Sequence, residues 1–433
     1  MLSTNNIKKL SFLVYGLGQT GQSVVNFFKR NNFQSYKVWD DFNKNLYKKK
    51  RVNNLNKALK NVDFIVLSPG VSLNQSKNKN KLFQFRKKII TDIDLIYLLG
   101  NFSKSIVVTG TNGKSTTCKI INHILTKNNY KTFLGGNIGT PILNLKMNRR
   151  KFLIIEASSF QLSHSKFIRP DYALLLNITN DHLDWHRTKK NYINSKFKIF
   201  NLQKKTQFSI LNNKFKIEFK KRNLHGKLIV PKINSYLKIK HKIKNSYLKL
   251  DINDENMSFV LTLSKLIGIS EKSFVKSLNT FIGLPHRYEV FLKKKNCVFI
   301  NDSKATSFEA TKFALRNTKN LFWIVGGLPK KNDRITLNNL KKNIVKSYII
   351  GKNTNFFKKQ VQNKINFHVS KNLRSSIIKI LKDIKLFNKK KNTILLSPAS
   401  ASYDQFLNFE KRGDHFNKCI KKLNFVNKLN ARK

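Results

Sequence analysis

The chain has 433 residues, 40% of them hydrophobic, which allows roughly two to four domains with sizeable cores. Three scattered cysteines, Cys118, Cys297 and Cys419, give neither a metal-binding spacing nor a disulfide framework, and no long apolar run marks a membrane span. The net charge of +63 is spread in short lysine runs such as 48–50, 293–295 and 389–391, so the expected partners are small anions drawn by a diffuse field, not a nucleic acid held in a basic groove.

The polar stretch 1–10 has no signal-peptide core, which together with the cysteine usage sets a cytoplasmic expectation. Short apolar runs then alternate with amphipathic stretches. Strands are expected at 11–15, 37–39, 63–67, 106–109, 152–155, 173–177, 298–300, 322–325, 348–350 and 393–396. Such alternation predicts an α/β protein with mostly parallel sheets, and runs rich in Val, Ile and Leu fit sheets covered on both faces. Three blocks follow, 1–97, 98–283 and 284–433, with Gly283-Leu284-Pro285 as a hinge. No internal repeat is present.

The first block opens with a strand and Gly16-Leu17-Gly18-Gln19-Thr20-Gly21, with Asp40 closing the next strand. This is the dinucleotide fingerprint, but what it reports is a diphosphate and a ribose at a helix N-terminus, which a UDP-sugar also offers. Ser68-Pro69-Gly70 is a further loop at a strand's carboxyl end.

The second block opens with strand 106–109 and Gly110-Thr111-Asn112-Gly113-Lys114-Ser115-Thr116, ahead of a helix whose Ile120, Ile121, Ile124 and Leu125 mark an apolar face. The glycines let backbone N–H groups turn toward phosphate oxygens at the helix start. Lys114 reaches the outer phosphates, and a hydroxyl of Ser115 or Thr116 can ligate Mg²⁺. The loop is a short variant, with Val108 where the longer one has its first glycine.

Glu156, at the tip of strand 152–155, is placed to hold Mg²⁺. His182, after strand 173–177, can ligate a metal or cap a helix. Tyr192-Ile193-Asn194-Ser195-Lys196 is expected to begin a helix, and nothing local distinguishes Lys196 from a surface lysine. The lysine-rich stretch 203–250 reads as antiparallel strands and loops at the edge of the middle domain.

These segments resemble the Mur ligase family over nearly the whole chain. Gly110–Thr116 is similar to its ATP loop, and Gly135-Gly136-Asn137-Ile138-Gly139 to its UDP-sugar loop. Glu156-Ala157-Ser158-Ser159-Phe160-Gln161-Leu162 resembles the D-glutamate-adding members in particular. Gly283–Arg287, Asn301–Thr306, Gly326–Lys330 and Ser397–Phe406 resemble the family's C-terminal segments. The resemblance implies three domains: an N-terminal Rossmann-like domain for the UDP-sugar, a central P-loop ATPase-like domain, and a C-terminal Rossmann-like domain for the amino acid.

It also implies an activity: a monomeric ligase that uses ATP and two Mg²⁺ ions to join D-glutamate to UDP-N-acetylmuramoyl-L-alanine through an acyl phosphate, in peptidoglycan precursor synthesis. The implied roles are these. Gln19, Thr20, Asp40, Gly70 and Asn137 hold the UDP-sugar. Ser115, Glu156, His182 and a carbamylated Lys196 form the metal site. Asn253, Arg287 and Asp302 join residues 110–116 at ATP. Thr306, Lys330, Ser402 and Phe409 surround D-glutamate, Lys330 binding a carboxylate. Ile252-Asn253-Asp254-Glu255-Asn256 departs from the family's His-Asn-x-x-Asn, with isoleucine for histidine, and Tyr403 stands where leucine is usual. A folylpolyglutamate synthase shares the ATP domain but would lack the domain that opens with Gly16–Gly21.

Overall fold

The structure is a computed structural model that describes residues 4–43, 45–137, 139–145, 151–179, 181–245, 247–294, 296–330, 333–387 and 391–430. Ile138, inside the Gly135–Gly139 segment, and Lys389 and Lys390, inside one of the lysine runs, lie outside the described residues. The chain divides into two compact units, 1–281 and 282–433.

The first unit contains two parallel sheets. One holds β1 (Phe12–Tyr15), β2 (Tyr36–Trp39), β3 (Phe64–Leu67) and β4 (Ile89–Ile90) in the order β2-β1-β3-β4. The other holds β5 (Ser105–Thr109), β6 (Thr132–Gly136), β7 (Phe152–Glu156), β8 (Tyr172–Leu175), β9 (Phe208–Leu211) and β10 (Lys227–Ile229) in the order β10-β9-β8-β5-β7-β6. In each sheet the first strand lies between two later ones, so the strand order reverses at β1 and at β5. Crevices at the carboxyl ends of such strands are where α/β sheets bind ligands, and both glycine loops stand at these points. One core runs from Phe12, Val14 and Phe28 through Tyr97 to Val107, Ile155 and Phe200, joining the two sheets.

The second unit has one sheet: β11 (Glu289–Lys294), β12 (Cys297–Asn301), β13 (Leu321–Gly326), β14 (Ile344–Ile350), β15 (Phe367–Lys371) and β16 (Asn392–Leu396), ordered β11-β12-β16-β13-β14-β15. β11 is antiparallel to β12 and the remaining pairs are parallel. Trp323, Val325 and Leu395 enter one core, while their neighbours Phe322, Ile324 and Ile394 enter another. That alternation is the signature of a sheet covered on both faces.

The expected strands are all present within a few residues, but the stretch 203–250 corrects the sequence reading. β9 pairs in parallel with β8, and β10 in parallel with β9. Helices Lys216–Lys221 and Ile233–Lys240 fill much of the remainder. A parallel pair needs a crossover, and Lys216–Lys221 lies on that connection. Lysines on the solvent sides of these short elements obscure their periods. Among the described residues, no helix is long and apolar enough to cross a membrane.

Candidate active site

The phosphate loop leaves β5 and enters the helix Lys114–Lys127, whose Ile120, Ile121, Ile124 and Leu125 are buried as expected. Gly113 has φ +83°, and a Cβ there would lie 2.3 Å from Asn256 Oδ1, so glycine is required both by conformation and by space. The loop is held from the side by the segment after β8. Thr111 N donates to Asn177 O and Asn112 N to Asn177 Oδ1, both at 2.9 Å. The Thr111 hydroxyl lies 2.9 Å from the Tyr192 hydroxyl. Lys114 Nζ donates to the carbonyls of Gly110 and Thr111, each at 2.8 Å, so its charge is folded over its own loop. Ser115 and Thr116 lie in the first helical turn.

Glu156 ends β7 beside β5, in register with Val108, and is 2% exposed. Asn137 clasps it twice: Asn137 N donates to Glu156 O at 2.8 Å, and Nδ2 to Oε1 at 2.9 Å. The other carboxylate oxygen, Oε2, is buried with no hydrogen-bond partner among the described residues. A buried carboxylate oxygen without a donor is costly, and a cation bound there would remove that cost.

Lys196 sits under the phosphate loop, 1% exposed. It does not begin a helix, as the sequence suggested. The helix is Lys189–Phe197, started by the Thr188 side chain accepting from Asn191 N, so Lys196 falls in its last turn. Its amine donates to Gly110 O at 2.8 Å and lies 4.6 Å from the centre of the Tyr192 ring. Burial, and then the charge of Lys114, push this amine well below the ordinary lysine range, with Asp181 pulling weakly the other way.

His182 occupies the N-cap of the short helix Leu183–His186 at φ +53°, but its side chain makes no capping bond. It packs on the Phe160 ring at 4.7 Å and lies 3.5 Å from Asp181. Lys114, Glu156 and His182 thus follow the adjacent strands β5, β7 and β8. Among the described residues, no three His, Cys, Asp or Glu side chains cluster as a ready metal site. The donors present are the unpaired Glu156 oxygen, the Ser115 hydroxyl, the His182 ring and a lysine amine that carbamylation would turn into an anion. That set fits Mg²⁺, which favours few protein oxygens and keeps several waters.

At the first sheet, Gly16 has φ +90°, and a Cβ on Gly21 would fall 1.8 Å from Gly16 O, so the turn and its helix close tightly. Gln19 and Thr20 open the helix Gln19–Arg30, whose N-cap Gly18 supplies no side-chain acceptor. Asp40 grips this turn by accepting from Leu17 N at 2.6 Å, and also accepts from Phe42 N and Asn43 N. Burial opposes its ionisation, but these backbone donors and Arg51 hold its carboxyl below the ordinary value. Gly70 is exposed beyond β3, with open space where a Cβ would be. Gln19, Thr20, Asp40 and Gly70 therefore share the carboxyl edge of this sheet. Asn137 stands apart from them, at the end of β6 against Glu156.

Asn253 is 4% exposed and spends its amide on Tyr247 O at 2.7 Å, just before the helix Asp254–Ile267. Ile252 beside it is 52% exposed. In the C-terminal unit, Asp302 accepts from Ser397 Oγ at 2.7 Å and Tyr288 N at 3.0 Å. Burial pushes its carboxyl up to about 7 against those two bonds and the charge of Arg287.

Thr306 follows β12, Lys330 follows β13 and Ser402 follows β16, three neighbouring strands. Phe409 starts the helix Phe409–Asn430, with the Lys304 amine 3.9 Å from its ring centre. Arg412 on that helix is 1% exposed and ties two of these loops, donating to Ser303 O at 2.8 Å and Ser400 O at 3.0 Å. Sequence reasoning missed Asn177, Tyr192, Lys304 and Arg412. A Tyr-x-x-x-Lys spacing puts Tyr192 and Lys196 on one helix face, a signal that was available; the others depend on contacts distant in sequence.

Comparison with known proteins agrees with this architecture. Residues 108–280 match the family model "Mur ligase middle domain", and residues 10–84 match "Mur ligase MurD-like, N-terminal domain". The UDP-N-acetylmuramoylalanine--D-glutamate ligase of Rickettsia felis is 34% identical over 445 residues, covering 96% of this chain and 98% of the relative. The protein of the same name from Rickettsia prowazekii is also 34% identical over 445 residues, covering 96% and 99%. Among solved structures, a MurF ligase from Thermotoga maritima in complex with ADP has the same fold, with a TM-score of 0.57 at 18% identity, over 97% of this chain and 98% of that one.

Proposed function

The chain belongs to the Mur ligase family, and from that premise we propose that it joins D-glutamate to UDP-N-acetylmuramoyl-L-alanine at the expense of ATP, in the cytoplasm, as a monomer. The observation that carries this reading is Glu156, which ends the strand beside β5 with one carboxylate oxygen held by Asn137 and the other buried without a hydrogen-bond partner among the described residues. Similarity to relatives named as D-glutamate ligases over almost the full chain supports the choice of amino acid.

In this reading the terminal carboxylate of the UDP-linked substrate attacks the γ-phosphorus of ATP. A P–O bond forms, the bond to ADP breaks, and an acyl phosphate results. The free amine of D-glutamate then attacks the acyl carbon. The C–N bond forms, inorganic phosphate leaves, and the nitrogen gives up a proton. Phosphoryl transfer asks mainly for positioning and charge neutralisation. Lys114 leaves its own loop carbonyls to meet the phosphate oxygens, and the N–H groups of the loop line the helix start. Mg²⁺, when bound, offsets negative charge on the phosphates; Ser115, Glu156, His182 and carbamylated Lys196 would hold it.

Carbamylation needs a neutral amine. The Lys196 nitrogen adds to the carbon of CO₂ and releases a proton, and burial beside Lys114 favours the unprotonated form that reaction requires. Gln19, Thr20, Asp40, Gly70 and Asn137 serve the UDP-sugar. Asn253, Arg287 and Asp302 serve the nucleotide, and Thr306, Lys330, Ser402 and Phe409 serve D-glutamate.

Alanine at Lys114 or Glu156 is expected to abolish D-glutamate-dependent phosphate release while the thermal transition stays cooperative. Near-normal turnover in both variants would refute the site assignment.

A further inference from the structure

We propose that Asp92 is a positioning residue for the reaction site: through the Gln161 carboxamide it fixes the turn that follows Glu156, although it lies far from that turn in sequence. The inference rests on the reading of Glu156 given above and adds a residue to it.

Asp92 begins the helix Asp92–Leu99, just after the last strand of the first sheet, and is 2% exposed. Gln161 Nε2 donates to both of its carboxylate oxygens at 3.2 Å. The other end of the same carboxamide is engaged too. Gln161 Oε1 accepts from Ser158 N at 3.2 Å and from Ser158 Oγ at 3.1 Å, and Gln161 N donates to Ser158 Oγ at 3.2 Å. Ser158 and Gln161 form a capping box that starts the helix Ser159–His164, two residues beyond Glu156.

The chemistry fixes the direction of this chain of bonds. A carboxylate only accepts, so the amide nitrogen must face Asp92 and the amide oxygen must face Ser158. Gln161 cannot flip without setting oxygen against carboxylate. The capping box by itself leaves the amide nitrogen without a partner; Asp92 supplies it and locks the orientation.

Its neighbour Asp94 has a different role. Asp94 accepts from Ser165 Oγ at 2.6 Å, Lys166 N at 2.9 Å, Phe167 N at 2.8 Å and Thr91 N at 2.9 Å, which closes the start of its own helix and the far end of the helix Ser159–His164. Asp94 is spent on backbone closure away from the turn. Asp92 reaches the turn itself.

Residues that orient a metal-holding carboxylate from behind typically change metal affinity or activity about 10–100-fold when lost. The test uses the full chain with Mn²⁺ and ADP, titrated by electron paramagnetic resonance, together with kcat and KM for the UDP-linked substrate. D92L and Q161L should each raise the Mn²⁺ dissociation constant about tenfold and lower kcat, with KM for the UDP-linked substrate within about twofold of wild type. The double variant D92L/Q161L should lose no more than the worse single, because both break one link. D92N keeps an acceptor for Gln161 and should stay within about twofold of wild type on both readouts.

Should D92L not fold, D92S replaces it, its hydroxyl being too short to reach Gln161. Wild-type Mn²⁺ affinity in D92L or D92S, or losses that multiply in the double variant, would overturn the proposal. A wild-type chain that neither binds Mn²⁺ nor releases phosphate would remove the underlying reading as well.

Discussion

Lys196 donates its amine to the carbonyl of Gly110 across 2.8 Å, from beneath the loop that is expected to cradle phosphate. A lysine with no solvent and a second ammonium nearby gives up its proton more readily in the folded chain than in the unfolded one. Below the ordinary lysine value of 10.5 the unfolded state therefore binds more protons, and stability rises with pH from the depressed folded value up to that point. Carbamylation removes the mismatch. Bicarbonate should raise the Tm of wild type at pH 8 and leave that of K196A unchanged. K196A should lose at least about a hundredfold in kcat, partly restored by a short carboxylic acid. Equal Tm with and without bicarbonate would count against the carbamate.

Gly113→Ala tests the phosphate loop through its backbone. The new methyl would meet Asn256 Oδ1 at 2.3 Å at a φ of +83°, a region that costs alanine about 1–2 kcal/mol even in free space. ATP binding measured by calorimetry should fall at least about tenfold while the far-ultraviolet spectrum stays native.

Tyr192→Phe removes the hydroxyl that meets Thr111 and keeps the ring that faces Lys196. Burial, opposed by the Thr111 bond, pushes the Tyr192 phenol up to about 12, so it remains a neutral partner throughout the working range. One such bond contributes about 1 kcal/mol. KM for ATP should rise about fivefold with kcat changed less, a split that steady-state kinetics will read.

Asp302 tests the C-terminal unit. Its carboxyl, pushed by burial from 3.8 to about 7, keeps a proton that the unfolded chain releases. Between those values the native state binds more protons, so its contribution to stability falls as pH rises through that window. Asp302→Asn should flatten this part of the Tm–pH curve and narrow the loss of Tm between pH 4 and pH 7. An unchanged slope would mean that Asp302 titrates normally.

The sequence made much of this arrangement legible because the informative features are local. A strand, a glycine turn and a helix within a dozen residues revealed both ligand loops, and Val/Ile/Leu runs such as Ile106-Val107-Val108 revealed buried parallel strands. Lys196 was unreadable because its environment comes from Gly110 and Lys114, far away in sequence. Residues 203–250 were misread because lysines cover the solvent sides of two-turn helices and a three-residue edge strand, leaving too few apolar positions to fix a period. Gln161 was legible as part of the segment after Glu156, but its partner Asp92 gave no signal, because the contact joins residues far apart in sequence.

The most direct test measures phosphate release from ATP with UDP-N-acetylmuramoyl-L-alanine present and a panel of D- and L-amino acids. Release that requires both the UDP-linked acceptor and D-glutamate, with L-glutamate, L-alanine and L-lysine inert, is the predicted result. Release with another amino acid in place of D-glutamate, or release indifferent to the UDP-linked acceptor, would contradict it.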